Sequence, residues 1–362
     1  MGKRTTLKDV AAEAGVTAAT VSYVINNTPG QTIRPETRER VLKAVEKLRY
    51  TPNVHARTLR NQNCPCVGLV LRKNLAVPRF SQMAYGIQTR LEQEGYNALL
   101  LGNTMDSLGI SDYASAYLAG RVCGVIFIGT ENHGPDKKSL KALTAEKAPL
   151  VVFDCQEEVA SHSTVDLDYK GGAELIVTQA IEEAAERPTR LVYFRPLIDT
   201  AQERKREEGV RAACDKAEVQ MIVRTAPLNE DNMEIWDARY SVGSTDEGMA
   251  LNIEFYSCVS QILEELQDGD IVVSSWATWT HSFRKLSTYL NKQQRNITYV
   301  ELANNGESWR AADYYTRLPN YEAGVACAEE LLALLHSGVP SARLIKLTNI
   351  VKAPSDAASL IG

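Results

Sequence analysis

Between Thr17 and Asn26 the chain groups hydroxyls, methyls, a phenol and a carboxamide: Thr17, Ala18, Ala19, Thr20, Ser22, Tyr23 and Asn26. Val21, Val24 and Ile25 take the other side of the same repeat, so the stretch reads as a short amphipathic helix with one face free. Such side chains meet base edges and phosphates, and an alanine methyl packs against a thymine methyl. Ala18 and Ala19 cannot form the bidentate hydrogen bonds that separate one base from another. Direct polar readout therefore falls to Thr17, Thr20, Ser22, Tyr23 and Asn26.

The elements that must hold this face are short. Leu7, Val10, Ala11 and Ala14 fall at i, i+3, i+4 and i+7; Thr6 with Asp9 forms a capping-box-like start, and Gly15 the stop. Thr6 is also taken as a DNA-facing residue. Two helices about a glycine turn make a helix-turn-helix, whose second helix enters a major groove. A third helix starts near Pro35, with Val41, Leu42, Val45 and Leu48 as its core stripe. A plain three-helix bundle is the alternative, and the basic residues around the open face count against it.

Charge separates this head from the rest. Residues 1–61 hold 11 Lys+Arg against 5 Asp+Glu, while 62–362 hold 29 against 40, so a net of +6 precedes a net of -11. A basic head on an acidic body points to a polyanion met by the head alone. At 362 residues and 44% hydrophobic, the chain implies two or three globular domains. No signal peptide or membrane-length apolar run is read, and seven irregularly spaced cysteines point to reduced thiols. A soluble cytoplasmic protein is expected.

Residues 50–66, YTPNVHARTLRNQNCPC, hold a proline stop and then about two helical turns with little to bury. A helix that short is marginal alone and orders only against something else. Arg57 and Arg60 make the segment basic, and Leu59 is its apolar side chain. Leu59 is read either as a packing contact or as a wedge that opens a base step from the minor groove. Cys64 and Cys66 are spaced too closely for the usual metal or redox pair.

Beyond residue 66, apolar runs at 67–71, 98–102, 124–128, 149–153, 190–194, 270–274 and 297–302 alternate with helical stretches, one of them Phe80 to Glu94. This is the pattern of buried parallel strands with crossover helices, and so of an α/β body with two doubly wound lobes. Ligands are expected at the carboxyl ends of the strands. There is no glycine-rich dinucleotide loop, phosphate-cradling loop or serine elbow, and His55, His133, His162, His281 and His336 lack metal-ligand spacing. Neither catalysis, metal nor cofactor is expected.

The runs TLKDVAAEAGVTAATVSYVINN and TRERVLKAVEKLRYTPNVHARTLR resemble the lactose/galactose repressor family of bacterial transcription regulators, and the order of later elements is similar over nearly the whole chain. The resemblance implies a headpiece at 1–52, a hinge helix and linker at 53–66, and a two-lobed body at 67–362 like periplasmic sugar-binding proteins. One lobe would hold about 67–165 plus 313–338, the other about 166–312 plus 343–355. It further implies a homodimer on double-stranded DNA at a near-palindromic operator, with Asn53, Ala56 and Leu59 at the hinge. A small-molecule effector, first of all a sugar or sugar derivative, would sit between the lobes.

By the same resemblance, Arg72, Phe80, Asp154, Arg206 and Tyr321 line the effector cleft. Ser275 and Trp276 stand where many members carry an Asn-Asp pair, and Asn304 stands near another expected carboxylate. With two carboxylates missing, and Trp236 and Tyr240 added nearby, a phosphorylated, acidic or aromatic-faced ligand becomes an alternative. Tyr23 replaces a common arginine. A cleft that senses no sugar, a partner-protein signal and a solute-binding protein without DNA function also stay open.

Overall fold

A computed structural model of the chain describes residues 6–26, 33–48, 64–71, 74–129, 134–155, 161–184, 188, 190–238, 245–276, 279–290, 296–305, 311–348 and 350–352. They fall in two compact units, Met1–Cys64 and Pro65–Gly362. The hinge residues Asn53, Ala56, Arg57 and Leu59, together with Arg72 and Tyr240, lie outside the described residues.

The first unit contains α1 (Leu7–Ala14), α2 (Ala18–Asn26) and α3 (Pro35–Lys47). The Thr6 backbone N–H donates to the Asp9 carboxylate at 2.7 Å while the Asp9 N–H donates to the Thr6 hydroxyl at 3.4 Å, which satisfies two orphan donors of α1. Gly15 ends the helix at φ +65°, the left-handed region where a Cβ brings strain. Val10, Ala11, Ala14, Val21, Val24, Val41 and Ala44 form the small buried core. Leu42 does not join it: it is 50% exposed, and Ala44 takes the inner position instead. At about 100° per residue, positions 41, 44, 45 and 48 share a face that 42 leaves.

The second unit contains two sheets. The first is built from β1 (Cys66–Leu71), β2 (Asn97–Leu101), β3 (Val125–Ile128), β4 (Leu150–Phe153), β5 (Ser163–Asp168) and β11 (Ala342–Lys346). Its order is β11-β5-β4-β3-β1-β2, and every pairing is parallel. The second is built from β6 (Arg190–Pro196), β7 (Gln220–Ala226), β8 (Ile271–Ser274), β9 (Thr298–Asn304), β10 (Tyr314–Arg317) and β12 (Ile350–Lys352). Its order is β12-β10-β9-β8-β6-β7, parallel except where β12 meets β10. All seven apolar runs are strands. Those missed, β5, β7, β10, β11 and β12, lie at or next to a sheet edge or carry polar residues, and so lack a continuous apolar run.

Two lobe boundaries differ from the sequence expectation. β10 (314–317) belongs to the second sheet, not to the first lobe with 313–338, and β11 (342–346) belongs to the first sheet, not to the second lobe. The chain thus passes between lobes after β5, β10 and β11.

The helices that flank the crossings position the cleft. In the first lobe α4 (Pro78–Gln93) packs on α12 (Asn320–Ser337), and in the second α8 (Ala201–Ala217) packs on α7 (Tyr169–Glu182). Both contacts close over glycine: a Cβ on Gly86 would lie 2.2 Å from the Tyr321 carbonyl oxygen, and one on Gly209 would lie 2.3 Å from that of Lys170. Such spacing admits no side chain.

Candidate nucleic-acid interface and inter-lobe cleft

On the head, Thr17 caps α2: its hydroxyl accepts the Thr20 N–H at 3.1 Å and lies 2.9 Å from the Thr20 hydroxyl. That sets the first turn and leaves Ala19 exposed, with Tyr23 at 37% exposure one turn on. Thr17 is also exposed, while Thr20 and Ser22 are half-buried. Ala18 departs from the expected open face, because it packs partly against the head core. Asn26 closes α2, and its side chain lies outside the described residues. An α-helix starting with small residues and carrying an exposed phenol can lie close to a duplex groove.

In the body, polar side chains gather where strands end and helices begin, as expected for doubly wound sheets. Asp154 follows β4 at φ +61°, a region Asp tolerates better than most residues. Its carboxylate accepts from Arg79 at 2.7 Å and from the Tyr169 hydroxyl at 2.8 Å, and Arg79 also donates to the Tyr169 oxygen at 2.8 Å. Burial pushes the Tyr169 phenol up, against the pull of Arg79, so it stays a hydroxyl and a donor. Burial opposes the charge on Arg79, yet Tyr169 and Asp154 hold its pKa above the ordinary value.

A second ion pair lies in the other lobe. Glu203 and Arg206, one turn apart on α8, are paired while only 3% and 4% exposed. Glu203 also accepts from the Ser275 hydroxyl and from the Trp276 indole N–H, the latter at 2.8 Å. The Arg206 guanidinium lies 4.4 Å from the Tyr169 ring centroid. Tyr169 therefore joins both pairs, by hydrogen bonds on one side and cation–π contact on the other. Gln202 donates to the Asp154 backbone carbonyl across the lobes, and Asn74 to that of Asp237 at 3.2 Å. Asn320 reaches the Asn305 side-chain oxygen at 3.2 Å and Gln82 at 2.9 Å.

Of the residues assigned to the cleft from sequence, the structure brings Asp154, Arg206, Ser275 and Trp276 into one network. Asn304 stands apart, donating to Glu301 at 2.7 Å. Phe80 is placed elsewhere, in the first lobe's core, and its neighbour Arg79 turns to Asp154. Tyr321 is 37% exposed and packs against Tyr85, centroids 5.7 Å apart, on the surface of α4 and α12. Trp236 is buried against Phe255. The expected shortage of carboxylates is corrected in part: Glu203, buried in this network, supplies one from a position that the sequence alone does not single out. Arg79, Gln202 and Glu203 were missed. Their one local signal is their place at helix starts after β1 and β6.

Residues 6–53 match the model of bacterial regulatory proteins of the lacI family. The ribose operon repressor of Bacillus subtilis is 33% identical over 226 residues, covering 62% of this chain and 65% of that protein. Catabolite control protein A of Staphylococcus xylosus is 30% identical over 182 residues, 50% of this chain and 53% of that one. The chain thus spans about half the length of such curated relatives in alignment. Among solved structures, the Lac repressor bound to ONPG in its repressed state aligns with a TM-score of 0.71 at 20% identity, over 97% of this chain and 99% of that one. A regulator from Silicibacter pomeroyi aligns at 0.66 with 21% identity, over 96% and 98%. Residues 6–53 thus carry the domain of the lacI family of bacterial regulatory proteins, and the two lobes after it share the fold of these solved structures.

Proposed function

We propose that this chain is a sequence-specific, DNA-binding transcriptional regulator, acting as a repressor. It works as a homodimer on a near-palindromic operator in the bacterial cytoplasm. A small molecule between the lobes, a sugar or sugar derivative, shifts its affinity for DNA. The observation that carries this reading is α2, capped by Thr17 and open at Ala19 and Tyr23, inside the segment matched to the family. The relatives' names add support, since one is called a ribose operon repressor. The hinge residues Asn53, Ala56, Arg57 and Leu59 complete the proposed DNA contact, with Leu59 as the minor-groove wedge. No catalytic role, metal or cofactor is part of the proposal.

The two lobes act as the switch. A ligand changes DNA affinity only through unequal affinity for two arrangements of the protein. The side-chain bridges Gln202–Asp154 and Asn320–Asn305 belong to one such arrangement. Gel-shift measurements with genomic fragments around the gene, with and without neutral sugars, test the reading. A specific fragment should shift and respond to one sugar. No shift with any fragment at low salt, in either state, would end it.

A further inference from the structure

The cleft contains polar atoms that the protein buries without a partner: Arg79 Nε, Arg206 Nε, Asp154 Oδ1, Gln202 Oε1 and Asn320 Oδ1. Two are donors and three are acceptors. A buried polar group left in this way is costly, and a ligand that meets it recovers the cost. A carboxylate or phosphate offers mainly acceptors. It would satisfy the two arginine N–H groups and leave all three oxygens facing another oxygen. A hydroxyl donates and accepts at once, so adjacent hydroxyls can meet both sets.

Charge leads to the same conclusion. Arg79 is matched by Asp154 and Arg206 by Glu203. Neither arginine has charge in excess of its partner, so an anion would enter a cleft whose cations are already answered. Glu203 is the more tightly fixed of the two carboxylates. All three of its side-chain partners, Arg206, Ser275 and Trp276, lie in its own lobe, so the pair does not depend on lobe closure. Asp154 differs in that its backbone is gripped from the other lobe by Gln202.

Resting on the reading of the cleft as an effector site, we propose that Glu203 is a specificity-determining residue. Its carboxylate is a built-in anion beside Arg206, so the cleft takes uncharged ligands rich in neighbouring hydroxyl groups and rejects carboxylated and phosphorylated ones. Ser275 and Trp276 hold that carboxylate in place. A buried cation stripped of its partner is costly, which gives an incoming anion a strong reason to bind once Glu203 loses its charge.

The test uses the full-length protein and calorimetry. Inorganic phosphate is titrated into wild type, Glu203→Gln, Glu203→Asp and the double variant Glu203→Gln/Arg206→Gln. Glucose, ribose and cellobiose, with glucuronate and ribose phosphate as charged counterparts, are titrated into wild type. Glu203→Gln should bind phosphate at least about tenfold more tightly than wild type, and the double variant should lose the gain. Glu203→Asp, which keeps the charge, should behave like wild type and covers the case in which the glutamine variant does not fold. Wild type should prefer a neutral sugar to its charged counterpart. Wild type binding phosphate or ribose phosphate as well as its neutral partner, or no gain in Glu203→Gln, overturns the role of Glu203 and leaves the effector reading standing. A phosphate gain in Glu203→Gln with no sugar bound by wild type overturns the effector reading instead.

Discussion

On α2 the groups offered for recognition stand open: Ala19 is exposed and Tyr23 is 37% exposed, while the neighbouring Thr17 hydroxyl fixes the helix start. Between the lobes, Asp154, Glu203 and Arg206 are 1%, 3% and 4% exposed, and each is tied to a charged neighbour. A surface reader can exchange one side chain without disturbing its scaffold. A buried network cannot, because removing one charge strands another. The head thus separates stability from recognition, and the cleft combines them.

The sharpest way to break this contrast is Asp154→Asn. Asparagine tolerates the left-handed backbone at φ +61°, so only the charge is lost, and Arg79, its side chain 18% exposed, is left without an anion. A loss of about 3–5 kcal/mol is expected in urea unfolding of the body. A loss under about 1 kcal/mol would show the cleft to be as tolerant as a surface.

Backbone approach gives the next effect. Gly209→Ala places a Cβ 2.3 Å from the Lys170 carbonyl oxygen and should cost about 1–3 kcal/mol, read as a lower Tm of the body. Gly15→Ala meets nothing within 4 Å and pays only for φ +65°, about 1 kcal/mol, confined to the head. Thr17→Ala removes the cap on α2 and should destabilise the head by about 1 kcal/mol, with weaker operator binding in a gel shift.

Tyr23→Ala should separate the two properties: stability stays within about 0.5 kcal/mol while operator affinity falls roughly tenfold. Equal loss of both would place Tyr23 in the scaffold. The smallest effect is one of pH and lies away from both sites. Burial would raise the Asp136 carboxyl, but hydrogen bonds from Ser111, Ser139 and Tyr113 outweigh it and hold the value at about 2. A depressed value means its stabilisation is complete above the unfolded value of 3.8 and is lost as pH falls through about 2. Asp136→Asn should flatten that part of an acid titration followed by circular dichroism.

Much of the architecture was legible because its signals are local. The Thr6–Asp9 box and the Gly15 stop each depend on residues within one turn, and the central strands announce themselves by unbroken apolar runs. The edge strands β7, β11 and β12 carry no long unbroken apolar run and were not legible, whereas β2, also at an edge, carries one and was. The lobe boundaries at β10 and β11 were not legible for a different reason: sheet membership is decided by the partner strand and not by the strand itself.

By itself, then, the sequence determined the head, the central strands of both sheets, the basic-to-acidic division and the presence of Asp154 and Arg206 at strand and helix ends. Only the tertiary structure decided that Phe80 turns to the core and Arg79 to the cleft. It also decided that Glu203 of α8 supplies the carboxylate to which Ser275 and Trp276 donate, and that Tyr169 links the two ion pairs. These contacts join residues up to 90 positions apart. A helical period states which residues share a face, but which distant charge will meet that face follows from how the lobes fold upon each other.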